Sequence, residues 1–392
     1  MGRTRRSALV APLLVVLVPG CGSGQEPRND SASAIRRIAV GEGPGSVVAL
    51  HVDADGILDL VIANHGDGSV TILLGEGGGD LREAPGSPFP AGANPNDIAA
   101  ADLDGDNDLD LALPNHETDG VTVLLGDGRG GFRPAPSSPV PVRSRPHPHG
   151  IAAGDFDGDG RVDLAVESFE TDQVEIVRGD GRGGFETPGT MIAVGPTPYQ
   201  RLRSADLDRD GFTDLVTTNR GDGTVSILLQ RPGGGWREAD GSPFAVGEAP
   251  FAVVVGDLDG NQRPDLAIAH YSGNASDPGA DRLSLWLGDG RGGFRSVEGS
   301  PFRERGSPVA VAIGDADGDG RADVAVARYS EGTVGLRLAA TGWSEKPGSP
   351  YPVGREPGGV TLADLDGDGR DDLVATAGGE GSIAIVLMPE GP

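Results

Sequence analysis

The chain has very little cysteine, lysine or aromatic residue. Its one cysteine, Cys21, has no second thiol to pair with, so no internal disulfide framework exists. Its one lysine is Lys346, and 59 acidic residues outnumber 32 basic ones, for a formal net charge of −27. With no basic patch beyond the first residues, nucleic acid is excluded as the expected partner. The apolar stretch from Ala8 to Val18 falls short of the roughly 20 residues that span a bilayer. No G-x-S-x-G, H-E-x-x-H or dinucleotide fingerprint occurs, which removes the commonest catalytic signatures.

Glycine and proline, by contrast, are abundant: 66 and 31 of 392 residues. Without a period, that share reads as disorder; with one, it reads as many tight turns between short strands. The period is carried by the stretch Asp155-Phe-Asp157-Gly-Asp159-Gly160-Arg-Val-Asp163, followed at once by the apolar Leu164-Ala-Val166. Carboxylates at positions 1, 3, 5 and 9, with a glycine at position 6 free to take positive φ, bring hard oxygens to one point, as Ca²⁺ requires. An EF-hand would need a bidentate glutamate at position 12. Val166 stands there instead, inside a β-branched run, so the loop sits within a β-hairpin.

The loop recurs seven times. Its candidate ligands are His51, Asp53, Asp55 and Asp59; Asp102, Asp104, Asp106 and Asp110; Asp155, Asp157, Asp159 and Asp163; Asp206, Asp208, Asp210 and Asp214; Asp257, Asp259, Asn261 and Asp265; Asp315, Asp317, Asp319 and Asp323; and Asp364, Asp366, Asp368 and Asp372. A spacing near fifty residues suits one four-stranded blade of a β-propeller. Five loops are expected to bind Ca²⁺ strongly. The first is weakened by the imidazole of His51, and the fifth by Asn261 and by Gln262 at the glycine position. The alternative, that these are turn-forming surface carboxylates, leaves clustered like charges uncompensated.

Within each unit, apolar runs alternate with Gly/Asn/Asp/Pro turns, which predicts four antiparallel strands. The Gly-rich turn Gly126 to Phe132 returns as Gly179 to Phe185 and Gly288 to Phe294, so Arg178-Gly179-Asp180 is part of a turn and not an adhesion motif. The chain's last strand, near Val386-Leu387, closes a third strand, and Ile35 to Val40 is a lone fourth-strand piece. Together they complete one blade and remove an exposed edge, giving an all-β ring of seven over residues 35–389.

The repeated D-x-D-x-D-G-x-x-D-L loop resembles the FG-GAP/VCBS repeat family, whose relatives include integrin α-subunit propellers and some seven-bladed lectins. The resemblance covers roughly residues 35 to 388. It implies a calcium-loaded propeller at the cell surface that binds something. The Phe-Gly and Gly-Ala-Pro signatures of integrin blades are mostly missing, so integrin-like partners are not implied.

Residues 1–21 read as an export signal, with Arg3, Arg5 and Arg6 before the apolar stretch. Val18-Pro19-Gly20-Cys21 resembles a bacterial lipobox, with Pro19 a departure from its usual small residue, and predicts lipidation at Cys21 and attachment to the membrane surface. Thr4-Arg5-Arg6 is faintly similar to a twin-arginine signal. Residues 22–34 are small and polar, as a flexible tether would be.

The loops at the end opposite the acidic loops collect His65, His116, His147, His149 and His270, with Tyr199, Tyr271, Tyr329 and Arg220, and Asn64, Asn94, Asn96, Asn115 and Asn219. This is the expected ligand face. Pro148 should hold His147 extended, so that His147 and His149 converge with His116 as a borderline-metal site or a polar clamp for a ligand's hydroxyls, with Glu117 and Glu167 as candidates to orient the rings. A monomeric surface binding or adhesion module for carbohydrate or protein is the favoured reading. A hydrolase or lactonase-like enzyme using the histidines, and a passive subunit of a surface assembly, are the alternatives.

Overall fold

The computed structural model describes residues 35–143, 147–168, 170–199, 201–273 and 281–389. The expected signal segment 1–21, Cys21 and the tether 22–34 lie outside the described residues. Seven antiparallel sheets follow one another around a central channel, in the order expected for a seven-bladed propeller.

Blade 2 shows the plan. Ala99–Ala101 lines the channel, Asp110–Asn115 and Gly120–Gly126 follow outward, and Phe132–Pro134 forms the outer edge. Every residue of Asp110–Asn115 is buried, and the second strand of every other blade is buried along its whole length as well. A strand covered on both faces favours apolar residues, which is why the middles of these segments read as continuous runs and not as alternation, while their polar ends are hydrogen-bonded.

The outer strand is interrupted in five blades, and the same serine device repairs the ladder at each interruption. Ser87, Ser138, Ser242, Ser300 and Ser349 accept through Oγ from the amides of Ile72, Val123, Ile227, Leu285 and Leu336, at 2.9–3.0 Å. The hydroxyl supplies the acceptor that the missing main chain would have supplied. Blade 3 lacks the serine: its outer strand Phe185–Ala193 runs through with a bulge, and Gly189 on it donates its amide to Glu175 at 2.9 Å.

The ring closes as the sequence predicts. Arg36–Ala39 pairs antiparallel with Ser382–Val386, Ile38 opposite Ile383, and becomes the fourth strand of the seventh blade. Blade-to-blade contact is made where a Gly-rich turn meets the neighbouring acidic loop. Gly183 donates to the Leu103 carbonyl at 3.0 Å, and Gly79 to that of Leu365 at 3.1 Å, so both features share one rim.

Candidate functional site

The acidic loops are held in shape by their own amides. In blade 3, Asp155 accepts through Oδ1 from Gly158 (2.7 Å) and Asp159 (3.1 Å), and through Oδ2 from Gly160 (2.8 Å). Gly160 takes φ +85°, which aims its amide inward. Asn107 and Gln262 occupy the equivalent position at φ +72° and +60°. Their amides make the same bond, to Asp102 at 3.0 Å and Asp257 at 2.7 Å. The turn therefore survives both substitutions.

The ninth-position aspartate does more than the sequence reading assigned to it. Asp163 is buried, accepting through Oδ2 from the Phe156 amide at 2.9 Å and through Oδ1 from Gly179, on the third strand, at 2.8 Å. The same two bonds recur at Asp59, Asp110, Asp214, Asp265, Asp323 and Asp372. Each locks its loop to the blade behind it. Burial pushes the Asp110, Asp163, Asp214, Asp323 and Asp372 carboxyls up to about 7, and that of Asp265 to about 6.

The carboxylates converge. Oxygens of Asp102, Asp104 and Asp110 lie within 4.8 Å of one another, as do those of Asp155, Asp157 and Asp163, of Asp206, Asp208 and Asp210, of Asp257, Asp259 and Asp265, and of Asp315, Asp317 and Asp323. In blade 1, His51 is exposed and turns Nδ1 to the Ile57 carbonyl at 2.9 Å, so its ring faces its own loop's backbone.

At the opposite rim, rings from four blades form one continuous arc. The His116 ring stacks on His147 with centroids 4.5 Å apart and meets His149 edge-on at 4.5 Å; His149 lies 4.9 Å from Tyr199. Tyr199 continues to Phe251 at 5.1 Å, and Phe251 to Tyr271 at 5.4 Å. The Arg220 guanidinium sits 5.5–5.6 Å from the centroids of Tyr199, Phe251 and Tyr271, within cation–π range of all three. Tyr329 is the one large apolar side chain exposed among the described residues.

The sequence of FG-GAP-like repeats matches residues 51–113, 115–166, 206–268, 270–326 and 317–375, most of the ring. The chain belongs to the FG-GAP-like repeat family. No curated protein matches it. Among solved structures, the propeller is similar to a streptogramin B lyase (14% identity, 90% of this chain and 96% of that one, TM-score 0.55). It is also similar to BBS1N in complex with ARL6DN (15% identity, 92% and 97%, TM-score 0.59). A third is virginiamycin B lyase from Staphylococcus aureus (11% identity, 90% and 99%, TM-score 0.54). At such identities these likenesses describe the fold alone.

The loops of this FG-GAP-like propeller fit a hard metal ion. Asp104 Oδ1 and Asp208 Oδ1 are buried oxygens with no hydrogen-bond partner among the described residues. Burial and the neighbouring acids Asp106 and Asp102 raise the Asp104 carboxyl above its ordinary range. Acceptor-only oxygens, crowded together and left without donors, are the donor set of a calcium-type ion.

Three expectations for the opposite rim are corrected by the structure. His147 is not extended: it takes φ +64°, with Nδ1 2.8 Å from the His116 carbonyl. The imidazoles are brought together, but the His116 and His147 rings are stacked at 28°, and nitrogens in two stacked planes do not aim at a shared metal. Burial, with His116 and His147 beside it, lowers His149 to about 3, so it is neutral; His116 is lowered too, by burial and then by His147 and His65. Glu117 is exposed and Glu167 accepts the Thr217 hydroxyl at 2.5 Å.

His270, Asn64, Asn115 and Asn219 are buried pegs and leave the ligand face. All four end a second strand. Asn64 Nδ2 donates to Ser69 and Thr71, Asn115 to Thr122, and Asn219 to Thr224 and Ser226, at 2.8–2.9 Å. His270 takes over this role in blade 5, with Nε2 2.7 Å from Ser284 Oγ and Nδ1 3.0 Å from the Glu248 carbonyl. Its burial lowers it to about 4. His65 is exposed, and Asn94 and Asn96 are half-buried.

The channel holds a charge network that the sequence reading missed. Arg201 is buried at φ +112° and donates through Nη1 to Asp97 Oδ1 (2.6 Å) and Ser46 Oγ (3.1 Å); Arg203 Nη1 donates to Asp97 Oδ2 (3.0 Å). Arg201 of blade 4 thus joins Ser46 of blade 1 and Asp97 of blade 2 across the axis.

Proposed function

We propose that the protein is an exported, calcium-stabilised binding module whose ligand, a carbohydrate or a protein, sits on the aromatic rim at the channel mouth. The continuous arc from His116 to Tyr271 carries this reading. Ring faces give apolar platforms at low entropic cost, and the flanking imidazoles, Arg220 and the Tyr hydroxyls supply the directional polar contacts a binding site needs. The acidic loops on the far rim then hold the scaffold rigid through Ca²⁺, clear of the ligand.

The lipobox-like Val18 to Cys21 supports placement at a membrane surface through a lipidated Cys21. A screen of glycans and surface extracts, with and without EGTA, tests the reading. Saturable binding should fall more than about tenfold in Tyr271→Ala. Unchanged binding in a folded Tyr271→Ala, Tyr329→Ala double variant would move the ligand elsewhere. Turnover lost in His116→Ala would make the protein an enzyme.

A further inference from the structure

Below the Arg201–Asp97 crossing, the channel opens into a cavity of about 610 Å³, within the range of small-molecule sites. Its walls are the inner strands Pro44–Leu50, Pro250–Gly256, Pro308–Gly314 and Val360–Ala363. They present Val48, Val254, Val255, Val311, Ile313 and Leu362. At one end Ser46 and Arg201 are buried, with Asp97 behind them paired to Arg201, and the cavity is blind there; at the other, exposed Arg209, Gln262 and Arg263 surround an open mouth among the acidic loops.

The charge of this lining runs against that of the chain. In a protein of net charge −27, four arginines line the cavity: Arg201, Arg203, Arg209 and Arg263. Its only acids, Asp206, Asp257 and Asp315, are the first residues of acidic loops and turn both oxygens to their own loop amides. At the blind end, two guanidinium groups share the single carboxylate of Asp97. Glu167, the other acid near Arg203, is buried and raised by burial to about 7, so it offsets only part of that excess. Arg203 keeps 19% of its side chain exposed, and it lines the cavity.

We propose that this blind channel cavity binds an amphiphile with an apolar chain and a single anionic head. The head sits against Arg203 and Arg201, and the chain runs along the Val and Ile walls toward the acidic-loop mouth. Charge-assisted bonds strengthen in a site walled by apolar groups, and burying the chain supplies roughly 0.8 kcal/mol per CH₂. A neutral head would leave the second positive charge, beyond the one that Asp97 balances, desolvated without an anionic partner. The site is separate from the aromatic rim and does not depend on it.

Calorimetric titration of the full calcium-loaded chain with dodecanoate and with dodecanol, below their aggregation limits, tests the proposal. Dodecanoate should bind saturably and at least about tenfold tighter than dodecanol. Arg203→Gln should erase that preference while dodecanol binding persists, and Val254→Phe, which fills the cavity without touching the charges, should abolish binding of both. Absence of saturable dodecanoate binding, equal affinity for the two probes, or dodecanoate binding undiminished by Val254→Phe would overturn it. Should Arg203→Gln fail to fold, the wild-type preference and Val254→Phe still decide the matter.

Discussion

The buried carboxylate of Asp163 bridges the amide of Phe156, in its own acidic loop, and the amide of Gly179, on the third strand of the blade, at 2.9 and 2.8 Å. One side chain therefore serves both as a candidate metal oxygen and as a clamp on the blade, whereas the fifth-position Asp159 is exposed and caps only Arg161. The two roles separate in variants. Asp163→Ala orphans two amides, at about 1–3 kcal/mol each, and should destabilise the protein even in EGTA. Asp159→Ala should lower the melting temperature only when Ca²⁺ is present. Thermal unfolding of both variants with and without EGTA makes the comparison, and equal behaviour would remove the division of labour.

The pH dependence of calcium binding follows from the same residues. In the metal-free protein, burial holds the carboxyls of Asp110, Asp163, Asp214, Asp323 and Asp372 at about 7, and a carboxyl must lose its proton to bind a cation. Binding at pH 6.5 should therefore release protons, and at pH 8.5 almost none. Calorimetry in buffers of different ionisation enthalpy reads this number directly. Proton uptake, or a release independent of pH, would contradict it.

Acid should act through two buried histidines. His149 is held to about 3 and His270 to about 4, chiefly by burial, against 6.5 for the free side chain. Below pH 6.5 the unfolded chain takes up protons at these two positions that the folded one refuses, so the histidine contribution to stability falls as pH drops, opposite in sign to that of the buried carboxyls, until the folded values are reached. Each histidine contributes a slope of up to about 1.4 kcal/mol per pH unit. His270→Asn mimics the buried asparagine of blades 1, 2 and 4 and should gain stability relative to the parent as pH falls from 6.5 to 4, as the difference in urea unfolding midpoints would record.

Cys21 carries the localisation prediction. If it is lipidated, the protein partitions into the membrane fraction and Cys21→Ser releases it. A Cys21→Ser protein still wholly in the membrane fraction would assign the anchor to something else.

Much of this architecture was legible because it repeats. The period of the acidic loops, the continuous second strands and the complementary ends each predict the ring, and the loops whose aspartates converge are among the seven marked by spacing alone. What stayed hidden was set by neighbours distant in sequence. Asn64, Asn115, Asn219 and His270 read as polar rim residues, yet hydroxyls one strand away at Thr71, Thr122, Ser226 and Ser284 draw them into the core. The Ser-Pro pairs recur in plain sight, at Ser87, Ser138, Ser242, Ser300 and Ser349, and were a signal of the interrupted outer strand. Arg201 and Asp97 lie 104 residues apart, and only the closed ring makes them partners.

The most direct test of the calcium-stabilised propeller is its unfolding as a function of free Ca²⁺. A site of extracellular type, filled at tenfold excess, adds roughly 1.4 kcal/mol. Five to seven such sites add about 7 to 10 kcal/mol, comparable with the whole stability of an ordinary domain. Melting temperature should therefore climb steeply with calcium and collapse in EGTA, with at least about five equivalents bound per chain. A melting temperature unchanged by EGTA would show that the acidic loops are turns and not metal sites.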